Sequence, residues 1–328
     1  MDIANFKYLD KETLFTLTHK REGEIKIGEK ISYGSDFENS TARYVIIGIE
    51  ESIGVKGNLG KSGTHTAWNA FLDAFVNVQN TVRLAGEHIH ILGSFQFQEI
   101  FQECESTEDY REKVSLIDDS ISPLIEKISL AGKRVIIIGG SHANAYPIIK
   151  GVSQAKNAPV SVINMDAHAD FRKLEGRHSG NPFSSARHEG FLGPYHILGL
   201  HENYNSQTML EEMSKQKDIQ WYFYEDIYLR NKISFDKALH HFIENTKGIA
   251  GIELDMDSVE NVLSSAMTPT GFSALEARKY AYNTAYQLKP SYFHICEAAA
   301  KLDNGLEDPQ TGKLLSYLVT DFIKGLME

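Results

Sequence analysis

The segment Val160–Asp170 reads VSVINMDAHAD and places Asp166, His168 and Asp170 directly after a nearly continuous apolar run. Such a run predicts a strand buried on both faces, as in a parallel sheet covered by helices. Side chains two positions apart in extended backbone point the same way, so these three can converge on one point. Carboxylate oxygen with imidazole nitrogen suits Mn²⁺, Fe²⁺ or Zn²⁺, and the large share of carboxylate favours the harder ions. The alternative is a hydrated acidic turn.

Similar apolar runs recur along the chain, each followed by a polar turn and a segment with helical spacing. They predict an α/β fold with eight strands in one open sheet: Tyr44–Ile49, His88–Leu92, Val135–Ile138, Val160–Met165, Tyr195–Leu198, Trp221–Tyr224, Ile249–Asp255 and Tyr292–Cys296. Helices are predicted at Thr66–Val78, Tyr110–Leu130, Ser206–Lys215 and Ser273–Gln287. The last begins with Ser273 and Glu276 at capping-box spacing.

Two further strands are followed by residues that can bind metal. In open parallel sheets the ligand site lies beyond the carboxyl ends of the strands. His142 follows Val135–Ile138 after a glycine pair, and Asp255 and Asp257 come at the end of the strand that starts at Ile249. Two carboxylates this close at a buried strand end repel each other unless a cation or a proton intervenes. Taken alone, each has a simpler explanation: His142 is explained as a hydrogen-bonded structural histidine, and the two aspartates as a hydrated strand end.

Together the three strand ends offer four carboxylates and two imidazoles, from His142, Asp166, His168, Asp170, Asp255 and Asp257. One divalent ion cannot use four carboxylates comfortably. Two ions about 3.5–4 Å apart can share bridging carboxylates and activate a bridging water as hydroxide. These residues therefore predict a binuclear metal site that hydrolyses a bond at a planar carbon.

The charge balance argues against polyanionic partners. The 328 residues include 33 Lys plus Arg and 44 Asp plus Glu, a formal net charge of −11, whereas nucleic acid and anionic membranes select a positive surface. No apolar run approaches the ~20 residues that span a bilayer, and no secretory signal is apparent, so we expect a cytoplasmic protein with a small-molecule substrate. Cys104 and Cys296 are too few for a disulfide framework. No linker marks a boundary, which predicts a single domain over residues 1–328, with residues 1–40 as an arm or a packed edge.

The two aspartate-rich runs resemble those of a known superfamily. Asp-Ala-His-x-Asp at Asp166–Asp170 and Asp-x-Asp at Asp255–Asp257 are similar to the arginase, agmatinase and formimidoylglutamase superfamily of dimanganese ureohydrolases. The resemblance implies a three-layer α/β/α domain with an eight-stranded, mainly parallel sheet, two Mn²⁺ ions per chain and association into homo-oligomers. It also implies that Asp166 and Asp255 bridge the ions, that His142 and Asp170 complete one site, and that His168 and Asp257 complete the other.

Other segments look most like the formimidoylglutamase branch, which hydrolyses N-formimidoyl-L-glutamate to glutamate and formamide in histidine degradation. Residues 54–63 (GVKGNLGKSG) are similar to its Gly, Asn and basic-residue loop, and residues 170–183 resemble its Asp-x-Arg and Ser-Gly-Thr-Pro-Phe segments. A dicarboxylate substrate needs cationic or amide partners, and Arg172 can bind a carboxylate through two parallel hydrogen bonds. The other candidates for substrate binding are Asn58, Lys61, Asn181 and Asn205. Each of these five is equally explained as a surface or loop-stabilising residue.

Two residues are candidates for catalysis. Glu297 follows the strand Tyr292–Cys296 and matches the acid that holds the cationic amidine or guanidine group in this superfamily. His178 lies near the position where many relatives have a proton-shuttling histidine, and a group with a pKa near neutrality suits proton delivery to the departing amine. The alternatives are a helix-start carboxylate and an exposed loop histidine.

The chain departs from the family pattern at several positions. Ser141 stands where relatives commonly have the Asp of Gly-Gly-Asp-His, and Glu253 replaces a small or hydroxyl residue before Asp255. Because all six ligands are kept, we predict a dimanganese hydrolase, and the resemblance to the formimidoylglutamase branch implies N-formimidoyl-L-glutamate as its substrate. The alternatives are a hydrolase of arginine, agmatine or guanidinobutyrate, and a non-catalytic relative.

Overall fold

The sheet and its helices are seen in a computed structural model that describes residues 3–328. The strands are β1 Phe6–Tyr8, β2 Ser32–Tyr33, β3 Tyr44–Glu50, β4 Ile89–Gln96, β5 Arg134–Ile138, β6 Val160–Met165, β7 Leu192–Leu200, β8 Ile219–Phe223, β9 Ile249–Asp255 and β10 Tyr292–Cys296. The α-helices are α1 Lys11–Leu17, α2 Ile53–Gly57, α3 Ala67–Phe75, α4 Gln98–Gln102, α5 Thr107–Leu130, α6 Ala145–Lys156, α7 Pro182–His188, α8 Gln207–Ser214, α9 Tyr224–Tyr228, α10 Phe235–Asn245, α11 Ala274–Leu288 and α12 Thr311–Met327.

The strands form one mainly parallel sheet in the order β1-β4-β3-β5-β10-β9-β6-β7-β8, with β2 also paired to β4. Only β1 runs antiparallel to its neighbour among the described pairs. The eight predicted strands correspond to β3–β10, so the predicted α/β class is confirmed. β4 and β7 are longer than predicted, because Gly93 in β4 and Gly193 and Pro194 in β7 weaken the sequence signal for a strand.

The N-terminal region forms an edge of this sheet. β1 pairs with β4 in the register Phe6↔Phe95, and the two ring centroids lie 4.9 Å apart. β2 pairs with the same strand at Ser32↔His90. These strands of 3 and 2 residues raise the strand number above the predicted eight, because such short strands leave no periodic apolar signal. Residues 1 and 2 of the predicted arm lie outside the described residues.

Alternate residues of the central strands pack into two cores, one on each face of the sheet. Ile136 and Ile138 of β5 pack with α3, α11 and α12. Val135 and Ile137 point the other way and pack with α5 and α6. Burying a side chain of this size completely contributes about 1.5–3 kcal/mol. The sheet therefore lies between two helical layers, as the three-layer prediction requires.

The predicted helices are present with ends shifted by a few residues. The capping box of α11 is formed, because Ser273 Oγ accepts a hydrogen bond from the Glu276 N–H at 3.2 Å and Glu276 Oε2 accepts one from the Ser273 N–H at 2.9 Å. A second capping box, of Ser106 and Asp109, starts α5 three residues before the predicted Tyr110. Within residues 3–328, no helix combines the length and apolar character needed to cross a membrane.

Candidate metal centre

Four neighbouring strands, β5, β10, β9 and β6, end next to one another in the middle of the sheet. Their parallel register aligns the carboxyl ends, with Cys296 beside Asp255. His142 follows β5, Glu297 follows β10 and Asp166 follows β6 directly. Residues far apart in the chain therefore meet at one edge of the sheet, where ligand sites of open parallel sheets lie.

The first group of candidate ligands surrounds His142. Its Nδ1 lies 2.9 Å from Asp170 Oδ2, 3.1 Å from Asp255 Oδ2 and 3.2 Å from Asp166 Oδ2. The side chains of His142 and Asp166 are fully buried, and those of Asp255 and Asp170 are 2% and 12% exposed. The ligand atoms of these four residues all lie within 4.8 Å of one another.

The second group contains Asp166, His168 and Asp257, and its ligand atoms also lie within 4.8 Å of one another. His168 Nδ1 is 3.1 Å from Asp257 Oδ2 and 3.6 Å from Asp166 Oδ1. Asp166 thus directs one oxygen to each group, as a bridging carboxylate would. The structure brings all six predicted ligands together, and their role as metal ligands stays a prediction.

Local backbone interactions orient these carboxylates. Asp166 Oδ1 accepts a hydrogen bond from the His168 N–H at 2.7 Å, and Asp255 Oδ1 accepts one from the Asp257 N–H at 2.9 Å. Asp170 has φ 46° and Glu297 has φ 60°, in the left-handed region that costs a non-glycine residue about 1–2 kcal/mol. Such strain clusters at functional sites, where the surrounding structure holds it in place.

The pKa values reflect the crowding of buried carboxylates. Burial, together with the neighbouring Asp257 and Asp166, raises the pKa of Asp255 well above its ordinary value. Burial by itself lowers the pKa of His142, but the neighbouring Cys296 and the surrounding carboxylates raise it well above the ordinary value. Burial also raises the pKa of Glu297 to about 8. Buried carboxylates in such numbers need compensating positive charge to stay ionised.

The residues present fit a pair of divalent ions. Nδ1 of His142 and Oδ1 of Asp257 are buried, and although three carboxylate oxygens lie close to Nδ1, neither atom has a partner with hydrogen-bond geometry among the described residues. Buried polar atoms in folded proteins are nearly always satisfied, so these atoms point to a ligand. Four carboxylates and two imidazoles are donors that Mn²⁺ accepts readily.

A cavity of about 330 Å³ opens onto this cluster and is lined by Asp170, Asp255, Asp257, Glu297 and His168. Asn58, Arg172, Ser179, Tyr204 and Asn205 also line this cavity, among other residues. A second cavity of about 340 Å³ is lined by Lys61 and shares residues such as His168, Asp257 and Tyr204 with the first. The predicted substrate-binding residues Asn58, Arg172 and Asn205 therefore line the first cavity, whereas Lys61 lines the second.

Two predicted substrate-binding amides are engaged with the protein. Asn181 is fully buried and lines neither cavity; its Nδ2 donates to the carbonyl groups of Lys173 and Gly176, and its Oδ1 accepts from the His178 N–H and Arg177 Nη1. No donor or acceptor of this amide is left for a substrate. The contacts therefore correct the substrate-binding prediction for Asn181 and give it a loop-stabilising role.

Asn205 has a similar structural function beside the candidate ligands. Its Nδ2 donates to the carbonyl groups of Ala167 and His201, at 2.9 and 2.8 Å, and its Oδ1 accepts from the Ala169 N–H at 2.9 Å. Both donor positions are used, so only one acceptor position of Oδ1 remains for a substrate. Asn205 mainly holds the loop that carries His168.

His178 is placed differently from the prediction. It is fully buried behind the cavity wall, its Nδ1 accepts a hydrogen bond from the Gly180 N–H at 3.1 Å, and its Nε2 lies 3.3 Å from Glu175 Oε1. Burial, with smaller effects of Arg111 and Arg172, lowers the pKa of His178 to about 4. A proton shuttle must reach the substrate and titrate near neutrality. The position and the lowered pKa argue against this role.

Glu51 is a buried carboxylate of the site that the sequence analysis missed. It is 3% exposed, and its Oε1 accepts hydrogen bonds from the Ser141 N–H at 2.5 Å and Asn144 Nδ2 at 2.7 Å. Oε2 accepts from the Gly54 N–H at 3.0 Å. Glu51 thus anchors the turn that carries His142. Its position directly after β3 is the signal that could have identified it.

The fold and the site define a class of α/β proteins with a cluster of carboxylates and imidazoles at the carboxyl ends of a parallel sheet. The family model of the arginase family matches residues 42–323, and the chain belongs to this family. Formimidoylglutamases of Streptococcus pyogenes serotypes M3 and M49 are 30% identical over 149 residues, which is 43% of this chain and 45% of theirs. The match thus spans less than half the length of these curated relatives.

Solved structures show the same fold. Formimidoylglutamase from Bacillus subtilis has a TM-score of 0.76 and 19% identity over 94% of each chain. Formiminoglutamase from Trypanosoma cruzi, solved with Mn²⁺, has a TM-score of 0.73 and 19% identity over 92% of this chain and 98% of that one. A hypothetical agmatinase from Burkholderia thailandensis has a TM-score of 0.69 and 16% identity over 89% of this chain and 87% of its own. The predicted resemblance to the arginase superfamily, and to formimidoylglutamases within it, is confirmed.

Proposed function

We propose that this chain is a dimanganese hydrolase of N-formimidoyl-L-glutamate. Water adds to the formimidoyl carbon, the C–N bond to the glutamate nitrogen breaks, and glutamate and formamide are released, a step of histidine degradation. The observation that carries the proposal is the convergence of six candidate ligands, four of which line a cavity that Glu297 and Arg172 also line. The match to curated formimidoylglutamases supports the choice of substrate.

Two Mn²⁺ ions would be held by the six ligands, with Asp166 and Asp255 as the bridging carboxylates. The contact of Asp166 with both His142 and His168, through different oxygens, supports its bridging position. When bound, such an ion pair lowers the pKa of a water molecule towards neutrality and acts as a Lewis acid.

Glu297 would orient the cationic end of the substrate. Its Oε1 accepts a hydrogen bond from the His142 N–H at 2.8 Å, which fixes the carboxylate at the wall of the cavity. Oε2 receives no hydrogen bond from the described residues and can accept one from the protonated formimidoyl nitrogen. A charge-assisted hydrogen bond of this kind is about twice as strong as a neutral one.

Arg172 would bind a carboxylate of the substrate at the outer end of the cavity. Its guanidinium group donates to Asn58 Oδ1 and Glu175 Oε1, both at 2.8 Å, and its side chain is 51% exposed. The two parallel N–H groups of a guanidinium match the geometry of a carboxylate. The second carboxylate of the substrate would extend towards the cavity of Lys61.

The leaving amine needs a proton donor that lines the cavity, which His178 does not. Asp257 lines the cavity, and its Oδ1 has no hydrogen-bond partner among the described residues. We assign to this oxygen the acceptance of the proton that the attacking water releases and its transfer to the glutamate nitrogen as the C–N bond breaks.

A substrate panel on the full chain loaded with Mn²⁺ tests the proposal. We expect about two manganese per chain by elemental analysis and release of glutamate and formamide from N-formimidoyl-L-glutamate. Release of urea from arginine, agmatine or guanidinobutyrate instead would identify a guanidino hydrolase. Bound manganese without turnover of any of these compounds would identify a non-catalytic relative. A single domain, a cytoplasmic location and homo-oligomeric assembly stay predictions.

A further inference from the structure

A buried carboxylate lies behind the candidate ligand His142. Glu253 precedes Asp255 by two positions in β9 and is fully buried. Its Oε2 is 3.6 Å from Nε2 of His142, whereas Nδ1 of the same ring faces the carboxylates of the candidate metal centre. The two nitrogens of His142 therefore face two separate groups of acceptors.

Two further side chains hold Glu253 in this position. His294 lies opposite Glu253 in the pairing of β10 with β9, and its Nδ1 is 2.6 Å from Glu253 Oε2. The Tyr292 hydroxyl donates to Oε1 at 2.7 Å. The other ring nitrogen of His294 lies 3.4 Å from the carbonyl oxygen of Gly139. Both ring nitrogens of His294 are thus engaged, one with Glu253 and the other with the backbone of Gly139.

A fully buried glutamate is rare unless it is paired, because an unpaired charge in the interior is costly. Here the close contact with His294 Nδ1 and the hydrogen bond from the Tyr292 hydroxyl provide the compensation. Nε2 of His142, by contrast, is buried and has no hydrogen-bond partner among the described residues. A shift of the ring by less than about 1 Å brings its Nε2–H to hydrogen-bond distance from Oε2.

We propose that Glu253, paired with His294, is a positioning residue that accepts the Nε2–H of His142 and so directs the Nδ1 lone pair to the metal. The hydrogen bond fixes the tautomer and the ring orientation, and an anionic acceptor makes the opposite nitrogen a better donor. The inference rests on the proposed metal site. The family resemblance leads us to expect a small or hydroxyl residue at the position of Glu253. The proposal gives a function to the glutamate that this chain has there instead.

Binding of Mn²⁺ to the full chain tests the proposal, by calorimetry and elemental analysis of Glu253→Ser and Glu253→Gln. Removing the partner of a ligating histidine typically lowers metal affinity about 10–100-fold, so we expect such a loss for one of the two ions in Glu253→Ser. The ion held by His168 and Asp257 should be retained. Glu253→Gln keeps an acceptor oxygen, so its Mn²⁺ affinity should fall less than that of Glu253→Ser. If Glu253 only packed against its neighbours, the acceptor oxygen would make no difference. The control is Glu50→Gln. Glu50 is a carboxylate of β3 that accepts hydrogen bonds from Asn69 and Ser94.

A double-mutant cycle determines whether Glu253 acts through His142. In a His142→Asn background, Glu253→Ser should cause no further loss of affinity. An equal loss in both backgrounds, unchanged affinity in folded Glu253→Ser, or equal loss of both ions would overturn the proposal. A cooperative thermal unfolding transition of each metal-free variant shows that the variant is folded. If Glu253→Ser does not fold, the isosteric variant Glu253→Gln is used for the affinity measurement in its place. If the wild-type chain binds no Mn²⁺, the proposed function itself fails.

Discussion

The carboxylate of Glu175 lies 2.8 Å from the guanidinium of Arg172 at the outer end of the cavity, where a substrate carboxylate would bind. The two side chains are 51% and 40% exposed, and ion pairs this exposed contribute about 0–1 kcal/mol. Glu175 therefore orients Arg172 but is easily displaced. In this position the carboxylate of Glu175 would compete with a substrate carboxylate for the guanidinium group of Arg172.

Arg172→Ala should raise the KM for N-formimidoyl-L-glutamate about 10–100-fold with little change in kcat, because a hydrogen bond to a charged group is worth about 1.5–3 kcal/mol. Steady-state kinetics with the manganese-loaded protein measures this. Arg172→Lys keeps the positive charge but loses the bidentate hydrogen bond, so its KM should lie between those of the wild type and Arg172→Ala. An unchanged KM in Arg172→Ala would show that the substrate carboxylate binds elsewhere.

Glu175→Gln should lower the same KM about 2–5-fold, because it removes an ion pair of at most ~1 kcal/mol that the substrate must replace. The effect should shrink at high salt, where such exposed pairs are screened. In an Arg172→Ala background the substitution should have no effect on KM. A rise in KM would mean that Glu175 contacts the substrate favourably.

Asp255→Asn should stabilise the metal-free protein and weaken manganese binding. Burial and the neighbouring Asp166 and Asp257 raise the pKa of Asp255, so a neutral amide relieves repulsion while still accepting the Asp257 N–H through its oxygen. Calorimetry with chelator and with Mn²⁺ measures both effects. The wild type should gain about 2.7 kcal/mol of stability at a Mn²⁺ concentration 100 times Kd, and the variant should gain much less. Equal gains in the two proteins would contradict the assignment of Asp255 as a ligand.

Gly54→Ala should disturb the turn that carries His142 and lower manganese affinity. A Cβ at this position would lie 2.1 Å from Ser141 Oγ and 2.7 Å from the Cβ of Ala143, so the turn must move. Gly193→Ala is the matched control, because its Cβ would meet no atom closer than 3.4 Å. Metal titration of the two variants should separate them, and equal affinities would show that the turn tolerates displacement.

Asp118 should make folding stability depend on pH. It forms a buried ion pair with Arg177, and burial raises the pKa of Asp118 to about 6. A raised pKa means that the folded state binds the proton more tightly, so this contribution is complete below about pH 4 and is lost as the pH rises through 6. The loss is roughly 3 kcal/mol for a pKa difference of about two.

Urea unfolding of the wild type and Asp118→Asn between pH 4 and pH 7.5 measures this contribution. The stability of the variant relative to the wild type should rise with pH by roughly 3 kcal/mol. Asp119→Asn, which changes an exposed neighbour in α5 with only a minor effect on the pKa of Asp118, should show a much weaker trend. A pH-independent difference between wild type and Asp118→Asn would show that Asp118 has the same pKa in both states.

The candidate ligands could be found from the sequence because their signal is local. Asp166, His168 and Asp170 follow an apolar strand directly, and parallel strands bring their carboxyl ends to one edge whatever their order in the sheet. The same rule identified His142 and Asp255. Glu51 follows β3 in the same way, so its position satisfies the same rule.

Residues whose role depends on distant contacts were predicted less well. The sequence does not distinguish an asparagine that binds substrate from one that stabilises a loop. Only the hydrogen bonds of Asn181 and Asn205 to backbone groups identify them as structural. The lowered pKa of His178 arises from burial and from Arg111 and Arg172, of which Arg111 is far away in the chain.

Hydrophobic patterning and the order of polar residues after each strand were enough to predict the α/β class, the eight main strands and the six candidate ligands, because these are properties of neighbouring residues. The folded chain alone decided the strand order, the N-terminal edge of the sheet, the burial of His178 and the contact of Glu253 with His142 and His294. Each of these depends on which distant segments pack together, and short-range periodicity carries no information about that choice.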